Sequence, residues 1–173
     1  MPIISIILPA YNAEHTIKES IQSIVNQTFK DWELIVINDG SKDNTEKVIQ
    51  SFQDSRIIYV KNECNKGLIY TLNRAINIAR GKYIARMDAD DISLTRRLEK
   101  QFRFMESHRD IIACGTQIEY FDNTRKGNLK SKYPTHDKDM KNLLAITPCF
   151  AHPTIIIRSN VLKDNNIRYD YNF

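Results

Sequence analysis

Apolar residues arrive in two alternating rhythms along the first half of the chain. Residues 3–8, Ile-Ile-Ser-Ile-Ile-Leu, form a nearly unbroken β-branched run, the pattern of a strand covered on both faces. After Pro9-Ala10-Tyr11-Asn12 the spacing changes, and Ile17, Ile21, Ile24 and Val25 fall on one face of a predicted helix. Residues 34–37, Leu-Ile-Val-Ile, predict a second strand that ends at Asn38-Asp39-Gly40-Ser41. Asp43 or Asn44 is placed to cap the next helix, which carries Val48, Ile49 and Phe52. A third strand over 57–60 precedes a long helix through Leu72, Ala75, Ile76 and Ala79, with Gly81 as its C-terminal cap. A fourth strand over 82–87 runs straight into Asp88-Ala89-Asp90-Asp91, and a further helix covers about 95–107. Beyond this point the pattern loosens. It predicts a strand over 111–120, a short helix over 138–146, a strand over 154–158 and a helix over 160–163. The stretch 123–135, rich in Lys, Asn and Gly, reads as a flexible loop.

Strands alternating with helices predict an α/β fold. Right-handed crossovers give a mostly parallel central sheet with helices on both faces. A chain of 173 residues suits a single domain, and neither a repeat nor a dividing linker is present. Apolar residues make up 42% and charged residues 27%, which excludes fibrous and disordered classes. The apolar runs are too short to cross a bilayer, and a secretory leader is not apparent, so cytoplasmic residence is expected. Cys64, Cys114 and Cys149 are far apart and lack zinc-ligand spacing, so they read as reduced thiols. A net charge of +4 favours a phosphate-bearing ligand or a peripheral contact with an anionic membrane face, not nucleic acid.

In open parallel sheets, ligands bind outside the carboxyl ends of the strands. Those ends carry Pro9, Ala10, Tyr11 and Asn12, then Asp39, then Asn62, Glu63, Asn65 and Lys66, and finally Asp88, Asp90 and Asp91. Asp88 and Asp90 lie two apart in extended chain and share a side. Such a pair reads as a turn or as oxygen ligands for Mg2+ or Mn2+; its place after an apolar strand, with Asp39 after another, selects the metal. Asp91 alternates to the other side and reads as a helix cap. Asp39 reads as a turn residue or as an acceptor for the imino hydrogen of uracil or thymine. Tyr11 either packs on that base or fills the strand–helix corner. Lys66 and Arg86 are candidate partners for a diphosphate, Arg86 the stronger because it shares the Asp88 side.

With these residues in place, the sequence resembles the family-2 inverting glycosyltransferases of the GT-A fold. The resemblance is carried by Ser5-Ile6-Ile7-Leu8-Pro9-Ala10-Tyr11-Asn12, Ile37-Asn38-Asp39-Gly40-Ser41, Asn65-Lys66-Gly67 and Leu72-Asn73-Arg74-Ala75. Gly81-Lys82-Tyr83-Ile84, Asp88-Ala89-Asp90-Asp91, Arg97-Leu98-Glu99-Lys100-Gln101 and His152-Pro153-Thr154 continue it. It covers essentially the whole chain. Each motif alone is weak; the order and spacing together are specific. The resemblance implies a nucleotide-sugar donor, with UDP-sugar favoured, and sugar transfer with inversion to a hydroxyl of a glycan, lipid-linked or protein acceptor. It also implies that Pro9, Ala10, Tyr11, Asn12 and Asp39 hold the base, that Asn65 approaches the nucleotide, and that Asp88 and Ala89 line the ribose and diphosphate. Asp90 would ligate the metal, with Asp88 as a second candidate.

Two departures stand out. Many relatives carry arginine where this chain has Leu72, which leaves one phosphate contact to Arg74 or Arg86. The family's general base sits in a Glu-Asp pair shortly after a segment resembling 166–173, and the sequence ends at Phe173. Residues 1–107 are accordingly expected to form the nucleotide-binding half and 108–173 the start of an acceptor-side half, in a fragment that binds donor and transfers poorly. A non-catalytic nucleotide- or glycan-binding module is the alternative. A sugar nucleotidyltransferase would need a glycine-rich loop after the first strand, where Pro9-Ala10-Tyr11-Asn12-Ala13 has no glycine. Dinucleotide-binding and P-loop motifs are absent as well.

Overall fold

The strand β1, Ile4–Ala10, divides its side chains between two cores. Ile4, Ile6, Leu8 and Ala10 pack with Ile17, Ile21 and Ile24 of α1 (Ile17–Val25), while Ile7 packs on the opposite side with Leu72, Ala75 and Ile76 of α3 (Leu68–Ile78). The same alternation runs through β2 (Trp32–Asn38): Trp32, Leu34 and Val36 face the first core, and Ile35 and Ile37 face the second. The computed structural model describes residues 1–121, 129–144 and 149–170. Parts of the predicted 123–135 loop and 138–146 helix lie outside the described residues.

The remaining elements are α2 (Thr45–Gln50), β3 (Ile57–Lys61), β4 (Tyr83–Arg86), α4 (Arg97–Ser107), β5 (Ala113–Cys114), β6 (Glu119–Tyr120), β7 (Leu129–Lys130), α5 (Asp137–Leu144), β8 (Ile156–Arg158) and α6 (Ser159–Asp164). The central sheet runs β3-β2-β1-β4-β8-β5. β1 to β4 are mutually parallel, whereas β8 is antiparallel to both β4 and β5. The expected mostly parallel sheet is therefore present, with an antiparallel edge. Ile49 of α2 and Leu98 and Met105 of α4 join α1 over the first face; Leu162 of α6 joins α3 over the second.

Three local expectations need correction. The predicted strand over 111–120 is split into β5 and β6, because the chain leaves the sheet at Gly115; a Cβ there would lie 2.7 Å from Phe150 Cδ1. Gly81 does not cap α3, which ends at Ile78 with Ala79 as its cap. Glycine is needed at 81 because a Cβ would come within 2.6 Å of the Ser5 backbone nitrogen. Asn44 is the cap residue of α2 but makes no side-chain cap bond; Asp43 Oδ1 instead accepts from the Thr45 N–H at 3.0 Å.

At the amino-terminal end of the strands, the carboxylate of Glu33 is 4% exposed and fully engaged. Ser5 Oγ donates to its Oε1 at 2.6 Å, the Arg80 backbone N–H donates to Oε1 at 2.8 Å, and the Arg80 guanidinium Nη2 donates to Oε2 at 2.6 Å. Burial pushes the Glu33 pKa up, but the hydrogen bonds from Ser5 and Arg80 outweigh it and hold the value below 4.5. A depressed folded value gives stability that is present above the unfolded pKa and lost as pH falls through the folded one. Glu33→Gln is expected to cost roughly 2 kcal/mol in urea unfolding at pH 7, the modest figure reflecting the solvent-exposed Arg80. The gap between variant and wild type should narrow as pH falls below 4.5 and through the lowered Glu33 pKa.

Candidate functional site

The parallel strands deliver their polar residues to one edge. There the Asp39 N–H donates to the Ala10 carbonyl at 2.8 Å, and Met87 N–H donates to Ile7 O at 3.0 Å, so the ends of β1, β2 and β4 are tied together. Asp39 itself is buried at 4% exposure and organises the loop after β3. Its Oδ1 accepts from Asn62 Nδ2 at 2.6 Å and from the Lys66 N–H at 2.9 Å; its Oδ2 accepts from the Gly67 N–H at 2.9 Å. Gly40 takes φ +70° and lies so close to this loop that a Cβ would meet the Cys64 carbonyl carbon at 2.5 Å. Arg74, a candidate replacement for an arginine at 72, donates instead to Lys61 O and Asn62 Oδ1 from beneath the loop. Leu72 is buried in the second core.

The loop after β1 is held from the other side. Asn12 has φ +48°, its N–H donates to Ser41 Oγ at 3.0 Å, and its Oδ1 accepts from the Lys42 N–H at 2.9 Å. Asn12 is thereby committed to building the edge as well as lining it. Tyr11 is 45% exposed and Leu68, at the start of α3, 51%. Between them opens a cleft of about 470 Å³ lined by Pro9, Tyr11, Asn12, Ala13, Thr16, Leu68, Arg86, Asp88, Ala89 and Asp90.

The acidic turn closes the cleft. Arg86 Nε donates to Asp88 Oδ1 at 3.0 Å and Nη2 to Oδ2 at 3.3 Å, a two-point ion pair formed on the side of the strand expected from alternation. Asp90 is exposed and makes no hydrogen bond among the described residues. Asp91 does not cap a helix, since α4 starts at Arg97, six positions later. It is half-buried instead, and burial together with Asp90 and Asp88 pushes its pKa up to about 6. Under the turn sits Arg97, 8% exposed: Nη2 donates to the Arg86 carbonyl at 2.8 Å and Nε to Gln101 Oε1 at 3.1 Å. Burial lowers its pKa to about 10, with Asp91 pulling it back up, so it stays cationic at neutral pH.

For an acid with a raised folded pKa, stability is highest below the unfolded value of 3.8 and falls as pH climbs towards 6. Asp91→Asn is therefore expected to stabilise the metal-free protein by about 1 kcal/mol at pH 7, discounted for partial exposure. In thermal melts with chelator, the advantage of the variant over the wild type should open between about pH 4 and 6.

The structure brings Pro9, Tyr11, Asn12, Arg86, Asp88, Ala89 and Asp90 to one cleft. The Ala10 side chain points into the first core, Asp39 lies beneath the loop, and Asn65 and Lys66 are exposed on that loop outside the lining. Ala13, Thr16 and Leu68 complete the wall. A larger cleft of about 750 Å³ lies at the opposite end of β4. Three of its cations are engaged there, Lys82 with Glu106, Lys163 with the Ala79 carbonyl and Arg158 with the Met105, His108 and Ile111 carbonyls.

The sequence pattern that defines Glycosyl transferase family 2 matches residues 5–165. The chain belongs to glycosyl transferase family 2. An uncharacterised glycosyltransferase of Methanocaldococcus jannaschii is 40% identical over 98% of this chain and 59% of its own length. The Escherichia coli UDP-Glc:alpha-D-GlcNAc-diphosphoundecaprenol beta-1,3-glucosyltransferase WfgD is 35% identical over 95% of this chain and 72% of its own. This family 2 chain thus spans about three-fifths of the first of these relatives. S. aureus TarS in complex with UDP-GlcNAc superposes with a TM-score of 0.74 at 23% identity, over 98% of this chain and 49% of that one. The mannosyltransferase PcManGT from Pyrobaculum calidifontis, in complex with GDP-Man and Mn2+, gives 0.73 at 19% identity, over 98% and 48%. These likenesses show the fold, and it is the expected GT-A arrangement.

A metal in this family 2 edge would meet a particular donor set. Among the described residues no three His, Cys, Asp or Glu side chains converge on one point. One exposed carboxylate, Asp90, stands beside Asp88, and burial of Asp91, with the charges of Asp90 and Asp88 beside it, raises the Asp91 pKa. Hard divalent cations held by one or two carboxylates and completed by substrate phosphate oxygens suit such a set; an all-protein cage does not. The sequence pattern includes Arg97 in a matching motif but gives it no place under the turn, because a charged residue on an amphipathic helix is usually solvated. Among the described residues no helix is long and apolar enough to cross a membrane.

Proposed function

We propose that this chain holds a nucleoside diphosphate sugar, UDP-sugar first, at the carboxyl edge of its sheet, as the donor-binding portion of a metal-dependent inverting glycosyltransferase. The observation that carries the reading is the cleft in which an exposed aromatic ring, Tyr11, and a charged wall of Arg86, Asp88 and Asp90 face one another. Base and diphosphate each find a complementary surface in it. Tyr11 packs on the base. Asp39 Oδ2 accepts one hydrogen bond among the described residues, which leaves a lone pair for the imino hydrogen of uracil. The backbones of Pro9 and Ala10 shape the base site, with Asn12 holding its rim, and Ala89 lies against the ribose. Asn65 and Lys66 approach the nucleotide from the Asp39-anchored loop. Arg86 shares its charge between Asp88 and the diphosphate.

Asp90, with Asp88 as its neighbour, is the ligand for Mn2+ or Mg2+. When bound, the cation offsets charge on the departing nucleoside diphosphate. Residues 1–107 supply this nucleotide-binding half, and 108–173 begin the acceptor side. The names of WfgD and of the TarS complex support a UDP-sugar donor, and that of WfgD a lipid-linked glycan acceptor; another glycan or a protein hydroxyl fits the same chemistry. Such an enzyme works in the cytoplasm, at the inner face of the membrane when its acceptor is lipid-linked. The catalytic base is not assigned among these residues.

Titration calorimetry with UDP, dTDP and GDP, in Mn2+ and then in chelator, tests the reading. UDP is expected to bind in the micromolar range with Mn2+ and roughly tenfold or more weakly in chelator, about 1.4 kcal/mol or more. A folded sample that binds none of the three in Mn2+ would refute it.

A further inference from the structure

After α6 the chain turns back and lays one more aromatic ring against the charged wall. Asn166 takes φ +51°, its N–H donates to Lys163 O at 3.2 Å, and the Ile167 N–H donates to Leu162 O at 2.8 Å. That pair of bonds around a left-handed residue ends a helix and reverses the chain. Residues 167–170 then lie along α3. Asn73 Nδ2 donates to Tyr169 O and Asn73 Oδ1 accepts from the Tyr169 N–H, both at 3.0 Å. One helical turn away, Arg168 Nη2 donates to Asn77 Oδ1 at 3.2 Å. Both backbone polar groups of Tyr169 are thus held by one side chain, on a helix fixed to the second core through Leu72, Ala75 and Ile76. The Tyr169 ring packs against that core, and Arg86 Cζ lies 5.9 Å from its centroid.

Arg86 is 9% exposed and has two kinds of partner. Asp88 takes the Nε and Nη2 edge of its guanidinium, while Tyr169 offers an aromatic ring within reach of a cation–π contact. A guanidinium carries five N–H donors in a fixed fork. The edge formed by Nη1 and the second Nη2 hydrogen therefore has no partner among the described residues. Such an edge matches two oxygens of a phosphate. Arg86 lines the cleft, whereas Tyr169 stands behind it. We propose that Tyr169, clasped to α3 by Asn73, is a positioning residue that holds Arg86 with this open edge presented to the diphosphate of the donor. This rests on the donor-binding reading above. The carboxylate fixes the guanidinium along one edge and the ring restricts its remaining freedom. Arg86 then meets the diphosphate with little side-chain entropy left to lose.

Calorimetry in Mn2+ with UDP and UMP tests the role on wild type, Tyr169→Phe, Tyr169→Leu and Asn73→Ala. Tyr169→Leu keeps apolar bulk on the second core and removes the ring. It is expected to weaken UDP binding roughly fivefold, as for one partly desolvated cation–π contact, and UMP by a smaller factor. Tyr169→Phe, which keeps the ring, should bind UDP as wild type does. Asn73→Ala leaves every cleft residue in place and should weaken UDP in the same sense as Tyr169→Leu. A second readout needs no nucleotide. The Arg86 Nε–H resonance in 1H–15N spectra, assigned by its loss in Arg86→Lys, should shift in Tyr169→Leu and not in Tyr169→Phe. The role is overturned by full UDP affinity in Tyr169→Leu or in Asn73→Ala, or by UDP and UMP weakened equally. Tyr169→Phe as weak as Tyr169→Leu, or an Arg86 resonance that Tyr169→Leu leaves unmoved, overturns it too. Wild type that binds neither nucleotide, with the resonance shift present, overturns the donor-binding reading and the role with it, while the contact stands.

Discussion

Asp39→Ala is expected to destabilise the protein by about 3 kcal/mol and to abolish UDP binding. The buried carboxylate accepts from Asn62 Nδ2 and from the Lys66 and Gly67 N–H groups. Charge-assisted bonds contribute roughly 1.5–3 kcal/mol each, offset in part by the cost of burying the carboxylate. Alanine would leave the Lys66 N–H without its acceptor and the Gly67 N–H with Asn65 Oδ1 alone. The consequence extends to the cleft because the anchored segment leads directly into α3. Gly67 enters that helix with φ +87°, and Leu68, the first helical residue, is part of the cleft wall. Asp39→Asn should fall between wild type and alanine, since its amide oxygen still serves one donor while its NH2 opposes the others. Urea unfolding and UDP calorimetry read the two effects separately. Stability within about 0.5 kcal/mol of wild type, the range of an unconstrained surface change, would show that Asp39 does not anchor the loop.

Asp90→Ala is expected to behave in the opposite way, leaving stability within about 0.5 kcal/mol of wild type and removing the metal dependence of binding. Asp90 is exposed and without a hydrogen bond among the described residues, so its removal costs the fold little. As a direct metal ligand its loss should weaken Mn2+-supported UDP binding roughly a hundredfold, the upper end of what even outer-shell metal partners contribute. The variant should then bind UDP equally well in Mn2+ and in chelator. Mn2+ electron paramagnetic resonance gives an independent reading, because free Mn2+ should persist in the variant at concentrations where wild type with UDP takes it up. Full retention of the Mn2+ increment would move the metal assignment to Asp88 or Asp91.

The core and its two faces were legible from local pattern. Ile4, Ile6 and Leu8 against Ile7, and Ile17, Ile21 and Ile24 at helical spacing, follow from side-chain periodicity, which each element carries within itself. The placing of Asp39, Asp88 and Asp90 at one edge followed as well, because parallel crossovers bring all the carboxyl ends of the strands to the same side. β8 was harder. Three residues over Ile156–Arg158 show no period that distinguishes parallel from antiparallel, and only pairing with β4 and β5 sets their direction.

Sequence alone thus determined the α/β class, the sheet edge that gathers the polar residues, the carboxylates on it and the resemblance that the family match bears out. The tertiary structure decided what each edge residue is engaged with. It turned Ala10 into core, set Asp39 beneath its loop, paired Arg86 with Asp88, kept Asp91 from capping, and buried Arg97 under the turn. The physical reason is that periodicity is a property of one element, whereas the partner of a polar group is fixed by which other chain segment reaches it. Here those partners lie on segments that follow different strands, and their meeting depends on the packed sheet edge.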